Sequence, residues 1–138
     1  MADIFADTSG WGHLVDKSQP YHLQAASLYR SHRNNGGRII TTNYIVNELV
    51  SLMTSPLRIP RSAIISFVES IKSSPFIEVV HIHEILDQSA WQILKQYSDK
   101  EWSLTDCASF ALMKQYGISN AFASDHHFEQ FGFRLMLK

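Results

Sequence analysis

Asp3-Ile4-Phe5-Ala6-Asp7-Thr8-Ser9-Gly10 is the stretch on which the fold turns. Its apolar centre is short, lies between acids and reads as a buried strand. Asp7-Thr8-Ser9-Gly10 reads as the polar turn that leaves it. Working outward, the same unit recurs. A helical stretch around Tyr21–Arg33 stops before Asn34-Asn35-Gly36-Gly37, and Arg38-Ile39-Ile40-Thr41 follows as a second strand. Thr42 or Asn43 can cap a helix that begins near Tyr44 and fades at Ser55-Pro56. Pro60 marks the start of another, running to about Lys72, and Ile77–Val80 is a third strand.

Beyond it, Leu86, Ala90, Ile93, Leu94 and Tyr97 share one face of a long amphipathic helix. Ser103 caps a further helix, apolar on most sides and closed by Gly117. Ala121-Phe122-Ala123 is a fourth strand, and a turn of helix and a last strand, Phe133–Leu137, complete the pattern. Short apolar strands alternating with helices predict βαβ units, hence a parallel sheet covered on both faces. The expectation is one three-layer α/β/α domain over residues 1–138.

Composition narrows the function. The chain has 138 residues, 45% apolar and 18% charged, which suits a globular domain with a real core. No apolar run approaches the roughly 18 residues that cross a membrane. The N-terminus carries acids instead of a basic flank, so no signal peptide is expected. A single cysteine, Cys107, excludes an intrachain disulfide and favours the cytoplasm. With 12 basic and 13 acidic side chains the formal charge is −1. That balance excludes a protein that holds nucleic acid by bulk positive charge.

The acids carry the chemistry. In open α/β sheets ligands bind beyond the carboxyl ends of the strands. Asp7 ends the first strand and Asp125 follows the fourth, so both belong to that edge, although either could also serve as a helix cap. Asp106 stands three residues after Ser103, where an acid completes a capping box and complements the helix dipole. Glu48 falls at the border of an apolar helix face, beside Ile45 and Leu52. A carboxylate there is costly unless it is paired or binds a cation. Four converging carboxylates would repel one another, and oxygen-only ligands suit Mg2+ or Mn2+.

Phe5-Ala6-Asp7-Thr8-Ser9, Asn47-Glu48-Leu49, Ser103-Leu104-Thr105-Asp106 and Ala123-Ser124-Asp125 followed by Phe128, in this order, resemble a PIN domain across essentially the whole chain. The resemblance implies a five-stranded, mostly parallel sheet between helices and Mg2+- or Mn2+-dependent hydrolysis of RNA. It assigns the metal and catalytic roles to Asp7, Glu48, Asp106 and Asp125, with the hydroxyls of Thr8 and Ser9 assisting. Stand-alone PIN domains of this size are similar to VapC-type toxins, which implies a homodimer and a small antitoxin partner. One departure stands out: Gly10-Trp11-Gly12-His13-Leu14-Val15-Asp16 is more polar and glycine-rich than the apolar helix usual after the first acid. The alternative within the family is a non-catalytic module that binds RNA or protein.

Other architectures with a strand ending in Asp fit poorly. A haloacid dehalogenase phosphatase needs an acid where Ser9 stands. A receiver domain needs adjacent acids, and Thr8 follows Asp7; it also needs an Asp after the third strand, where His81 stands. His81-x-His83 and His126-His127 lack a third ligand at zinc spacing. Arg58 and Arg61, just past the Glu48 helix, could meet phosphates, as could the looser group Arg30, Arg33 and Arg38. Trp102 beside Ser103 and His126 beside Asp125 are the further candidates for substrate contact. Trp11 could stack on bases, Trp91 is expected in core or interface, and Cys107 is expected to be inert packing.

Overall fold

The computed structural model describes residues 2–138. Its chain order is β1 (Ile4–Ala6), α1 (Thr8–Val15), α2 (His22–Asn34), β2 (Ile39–Thr42), α3 (Asn43–Thr54), α4 (Arg61–Ser73), β3 (Ile77–Val80), α5 (Glu84–Gln96), α6 (Leu104–Tyr116), β4 (Asn120–Phe122), α7 (His127–Phe131) and β5 (Arg134–Leu135). The five strands form one sheet in the order β3-β2-β1-β4-β5, every pair parallel. Ile4, Phe5 and Ala6 of the central strand are fully buried, as a strand covered on both faces requires.

The strand order fixes the site. From β1 the chain builds outward to β2 and β3 on one side, then returns to place β4 and β5 on the other. The β1/β4 boundary is therefore the topological switch point, where connections leave toward opposite faces and a crevice opens at the carboxyl ends. Phe5 pairs with Ala121 and Ala6 with Phe122, so the residues after Ala6 and after Phe122 emerge side by side.

The principal departure from expectation is α1. Asp7-Thr8-Ser9-Gly10 is not a turn: Asp7 is the N-cap of a helix that starts at once. Its two glycines weaken the local helix signal, but Gly10 is demanded by packing. A Cβ there would sit 2.0 Å from the Phe122 carbonyl oxygen, so only glycine lets α1 lie this close to β4. Trp11 anchors the same helix, 1% exposed, with its ring edge-on to Tyr29, Phe67 and Phe122. It is core, not a base-stacking residue. Trp91, expected in core or interface, is half exposed on α5. The last two strands are shifted or shorter than the sequence suggests, β4 by one residue and β5 to two residues.

Candidate active site

Asp7 is placed by β1 and turned inward by the start of α1. The residue is 4% exposed. Its Oδ2 accepts the Ser9 hydroxyl at 3.0 Å and, more distantly, the Ser9 amide at 3.4 Å. The Ser9 hydroxyl in turn accepts the Ser124 amide at 3.0 Å, clipping the start of α1 to the chain leaving β4. Burial is the first cause, and the nearby charge of Asp106 the second, that raise the Asp7 carboxyl to about 7; Asp125 adds to the shift, while bonds from Ser9 and Thr8 oppose it.

Asp106 occupies the first turn of α6. It completes a capping box, with Ser103 Oγ accepting the Asp106 amide at 3.0 Å and Asp106 Oδ2 accepting the Ser103 amide at 3.1 Å. The cap and the site are thus the same residue, 8% exposed. Asp125 follows β4 by three residues, and its Oδ1 accepts the His127 amide at 2.9 Å. Glu48 joins through Thr8, whose hydroxyl donates to Glu48 Oε1 at 2.7 Å across 40 residues of sequence. A half-buried glutamate at an apolar border therefore has a defined partner and direction.

His127 was missed as a site residue, and the fold makes its position plain. Its Nδ1 lies 3.0 Å from Asp106 Oδ2 and 3.4 Å from Asp125 Oδ1. Carboxylate oxygens only accept, so Nδ1 carries the proton and spans the two acids. The adjacency of His127 to Asp125 was visible in the sequence, but its proximity to Asp106, 21 residues earlier, is a product of the fold. His126, the expected contact, is instead largely exposed, 3.9 Å from Asp125 Oδ1.

The donor chemistry fits a hard divalent cation. Asp7, Asp106 and Asp125 are mutually close enough for two of them to disfavour ionisation of the third. A cation resolves that conflict better than protonation, because each acid already accepts hydrogen bonds suited to its charged form. Asp125, His126 and His127 also place one ligand atom each within 4.8 Å of one another. That trio is less suited to a soft metal, since the His127 Nδ1 is engaged by carboxylates.

Other expected residues lie apart from the acids. Trp102 is not at hand for substrate: it is 5% exposed, and its indole N–H donates to Gln130 Oε1 at 2.8 Å. Its ring packs among Tyr97, Phe110 and Phe131, because the residue before the α6 cap turns into the layer between α5 and α7. Arg58 and Arg61 are exposed on and just after the α3–α4 turn, with no ion pair to any acid among the described residues. Arg38 pairs with Glu78, and Arg33 lies over the rings of Tyr29 and Phe76. His81 and His83 stack on each other at 6.4 Å, both exposed. Cys107 is buried and its thiol is pushed up to about 11, first by burial and then by Asp106, so it is unreactive packing.

A doubly covered parallel sheet with acids gathered at its switch point defines a class of α/β proteins built to bind a divalent cation beside a phosphate. Within it this chain belongs to the PIN-domain family, whose model, PIN domain, matches residues 4–134. It is 32% identical over 130 residues to the 23S rRNA-specific endonuclease VapC20 of Mycobacterium tuberculosis, covering 94% of this chain and 95% of that one. The crystal structure of VapC20, a Sarcin-Ricin loop cleaving toxin, superposes with a TM-score of 0.84 over the same shares of the two chains. FitAcB from Neisseria gonorrhoeae, 16% identical, shares the fold with a TM-score of 0.68 over 98% of this chain and 96% of its own. The chain is thus similar to VapC-type toxin ribonucleases, and no helix among the described residues is long and apolar enough to cross a membrane.

Proposed function

We propose that this chain is a cytoplasmic endoribonuclease that hydrolyses RNA phosphodiester bonds with Mg2+ or Mn2+ held by Asp7, Glu48, Asp106 and Asp125. The observation that carries the proposal is the convergence of acids at the β1/β4 switch point, one of them 4% exposed. A divalent cation, when bound, neutralises charge on the phosphate and activates water. The chain's own residues supply direction. Thr8 donates to Glu48 and leaves its second carboxylate oxygen free. Ser9 donates to Asp7 and stops that carboxylate rotating. His127 holds Asp106 and Asp125 at a fixed separation.

Structured RNA is the substrate we favour, with a ribosomal stem-loop as the first candidate, because the 32%-identical relative is a 23S rRNA-specific endonuclease. The same likeness supports a toxin role with a small antitoxin protein as inhibitor, and a homodimer as the acting form. Arg58 and Arg61, exposed beyond α3, are proposed to meet the RNA backbone, and His126 the nucleotide nearest Asp125. The test is cleavage of RNA in Mn2+, with and without chelator, by the wild type and Asp7→Asn. Cleavage that stops in both the chelator and the variant is expected. Activity that survives both overturns the proposal.

A further inference from the structure

Beside the acids lies a cavity of about 150 Å³ lined by Ser9, Gly12, His13, Gln19, Leu52 and Leu57. Roughly half the size at which pockets for drug-like molecules begin, it admits a single ring system. Its walls suit one. Leu52 and Leu57 offer apolar surface for a ring face, and Gly12 leaves the helix side without a side chain. Its polar groups are few: the Ser9 hydroxyl is already bonded at both ends, and the Gln19 amide N–H is given to Asp16.

His13 is the exception. It is 9% exposed, and its Nδ1 is the buried side-chain polar atom left without a partner among the described residues. An unpaired group of this kind costs about 1–3 kcal/mol in a finished core, and such exceptions gather where a ligand completes the bonding. The other ring nitrogen, Nε2, is 2.9 Å from Ser124 Oγ. Whichever of the two donates, Nδ1 remains as one donor or one acceptor. Burial holds the imidazole below its ordinary range, against the pull of Asp16, which keeps the ring neutral.

The cavity is also wired to the acids. His13 meets Ser124, the Ser124 amide meets Ser9, and Ser9 donates to Asp7. A group seated against His13 therefore bears on the backbone that sets the distance between Asp7 and Asp125.

We propose that this cavity is a base-recognition pocket, which takes one unstacked nucleobase next to the scissile phosphate and bonds its edge to His13. The proposal rests on the ribonuclease reading and names how that site selects RNA. Splayed bases held by their edges and faces are the usual means of reading RNA sequence. A pocket that shares Ser9 with the acids can hold only a nucleotide adjoining the cut. Arg58, exposed and next in sequence to Leu57, is placed for the backbone of the same nucleotide.

The experiment uses synthetic RNA hairpins with randomised loops, cleavage being mapped in Mn2+. A cleaved hairpin is then remade with a single abasic nucleotide at each position around the cut. Wild type is compared with His13→Gln and with Leu57→Trp, which fills the cavity from a half-buried turn and leaves His13 in place. Thermal melting reports whether each variant folds, and Leu57→Trp carries the test where His13→Gln does not fold. One abasic position is expected to lower wild-type kcat/KM by on the order of tenfold, the worth of about one buried hydrogen bond. Either variant should lose a similar factor on intact RNA and nothing further on that abasic RNA. The pocket is overturned if no position matters, or if the losses multiply. It is also overturned if the variants cleave normally but lose binding to a protein inhibitor. Binding of the same RNAs in chelator separates the two proposals. Abasic-sensitive binding without cleavage in Mn2+ would sink the ribonuclease reading alone, and cleavage with abasic-insensitive binding would sink the pocket alone.

Discussion

Two neighbouring strands of the sheet end in the same way and for different ends. Thr42 closes β2 and caps α3, its Oγ1 accepting the Ile45 amide at 3.1 Å. Asp7 follows β1 and caps α1 with a bond of 3.4 Å, at the long limit of a hydrogen bond. Both residues are buried. Threonine does the capping without charge, so a carboxylate at position 7 brings a cost that capping does not require. The difference teaches that the cap explains the geometry of Asp7 but not its chemistry.

The comparison can be broken most directly by making the two ends alike. Asp7→Thr keeps a capping oxygen and removes the charge. RNA cleavage in Mn2+ should fall by on the order of a thousandfold, read as initial rates, while the fold survives, because a metal-binding acid is worth several kcal/mol. A variant that cleaves within tenfold of wild type would return Asp7 to the status of a plain cap.

The next effect lies in pH. The Asp7 carboxyl titrates at about 7 in the fold and near 3.8 when unfolded. Between those values the folded state binds the extra proton, so in chelator stability should fall as pH rises from 4 to 7 and level off above. The integrated loss is at most on the order of 4 kcal/mol. Denaturant titration across that range should show the slope in wild type and its absence in Asp7→Asn. The reverse exchange, Thr42→Asp, places a buried charge at an end that has no use for it. It should cost about 1–3 kcal/mol by the same method and add no metal affinity.

Smallest is the change expected at Trp102, which the sequence placed near the site. Trp102→Phe removes the bond to Gln130 and should lower stability by about 1 kcal/mol with cleavage unchanged. A large activity loss in a normally stable variant would restore it to the substrate side.

What was legible in the sequence follows from range. Strands β1 to β4 show as short apolar runs, and each acid stands by a strand end or a helix start, so local pattern suffices. Helix α1 does not show, because two glycines and three polar residues in Thr8–Val15 speak against it locally, and a contact with Phe122 over 100 residues away demands one of them. The bridge by His127 and the tether of Glu48 by Thr8 are likewise invisible, since each joins segments that only the sheet order brings together. Trp102 misled because sequence adjacency to Ser103 says nothing of which side of the α6 cap a ring turns to.

The close seat of Gly10 on Phe122 has a bearing on motion. The Asp7 amide donates to the Phe122 carbonyl at 3.3 Å, and the Ser124 amide donates to Ser9, so the exits of β1 and β4 share a seam with no side chain between them. Such a seam has no partial opening: separating it exposes both amides and the centre of the core together. Hydrogen exchange at those two amides should run at the rate of whole-domain unfolding, while the α3–α4 turn exchanges through local fluctuations.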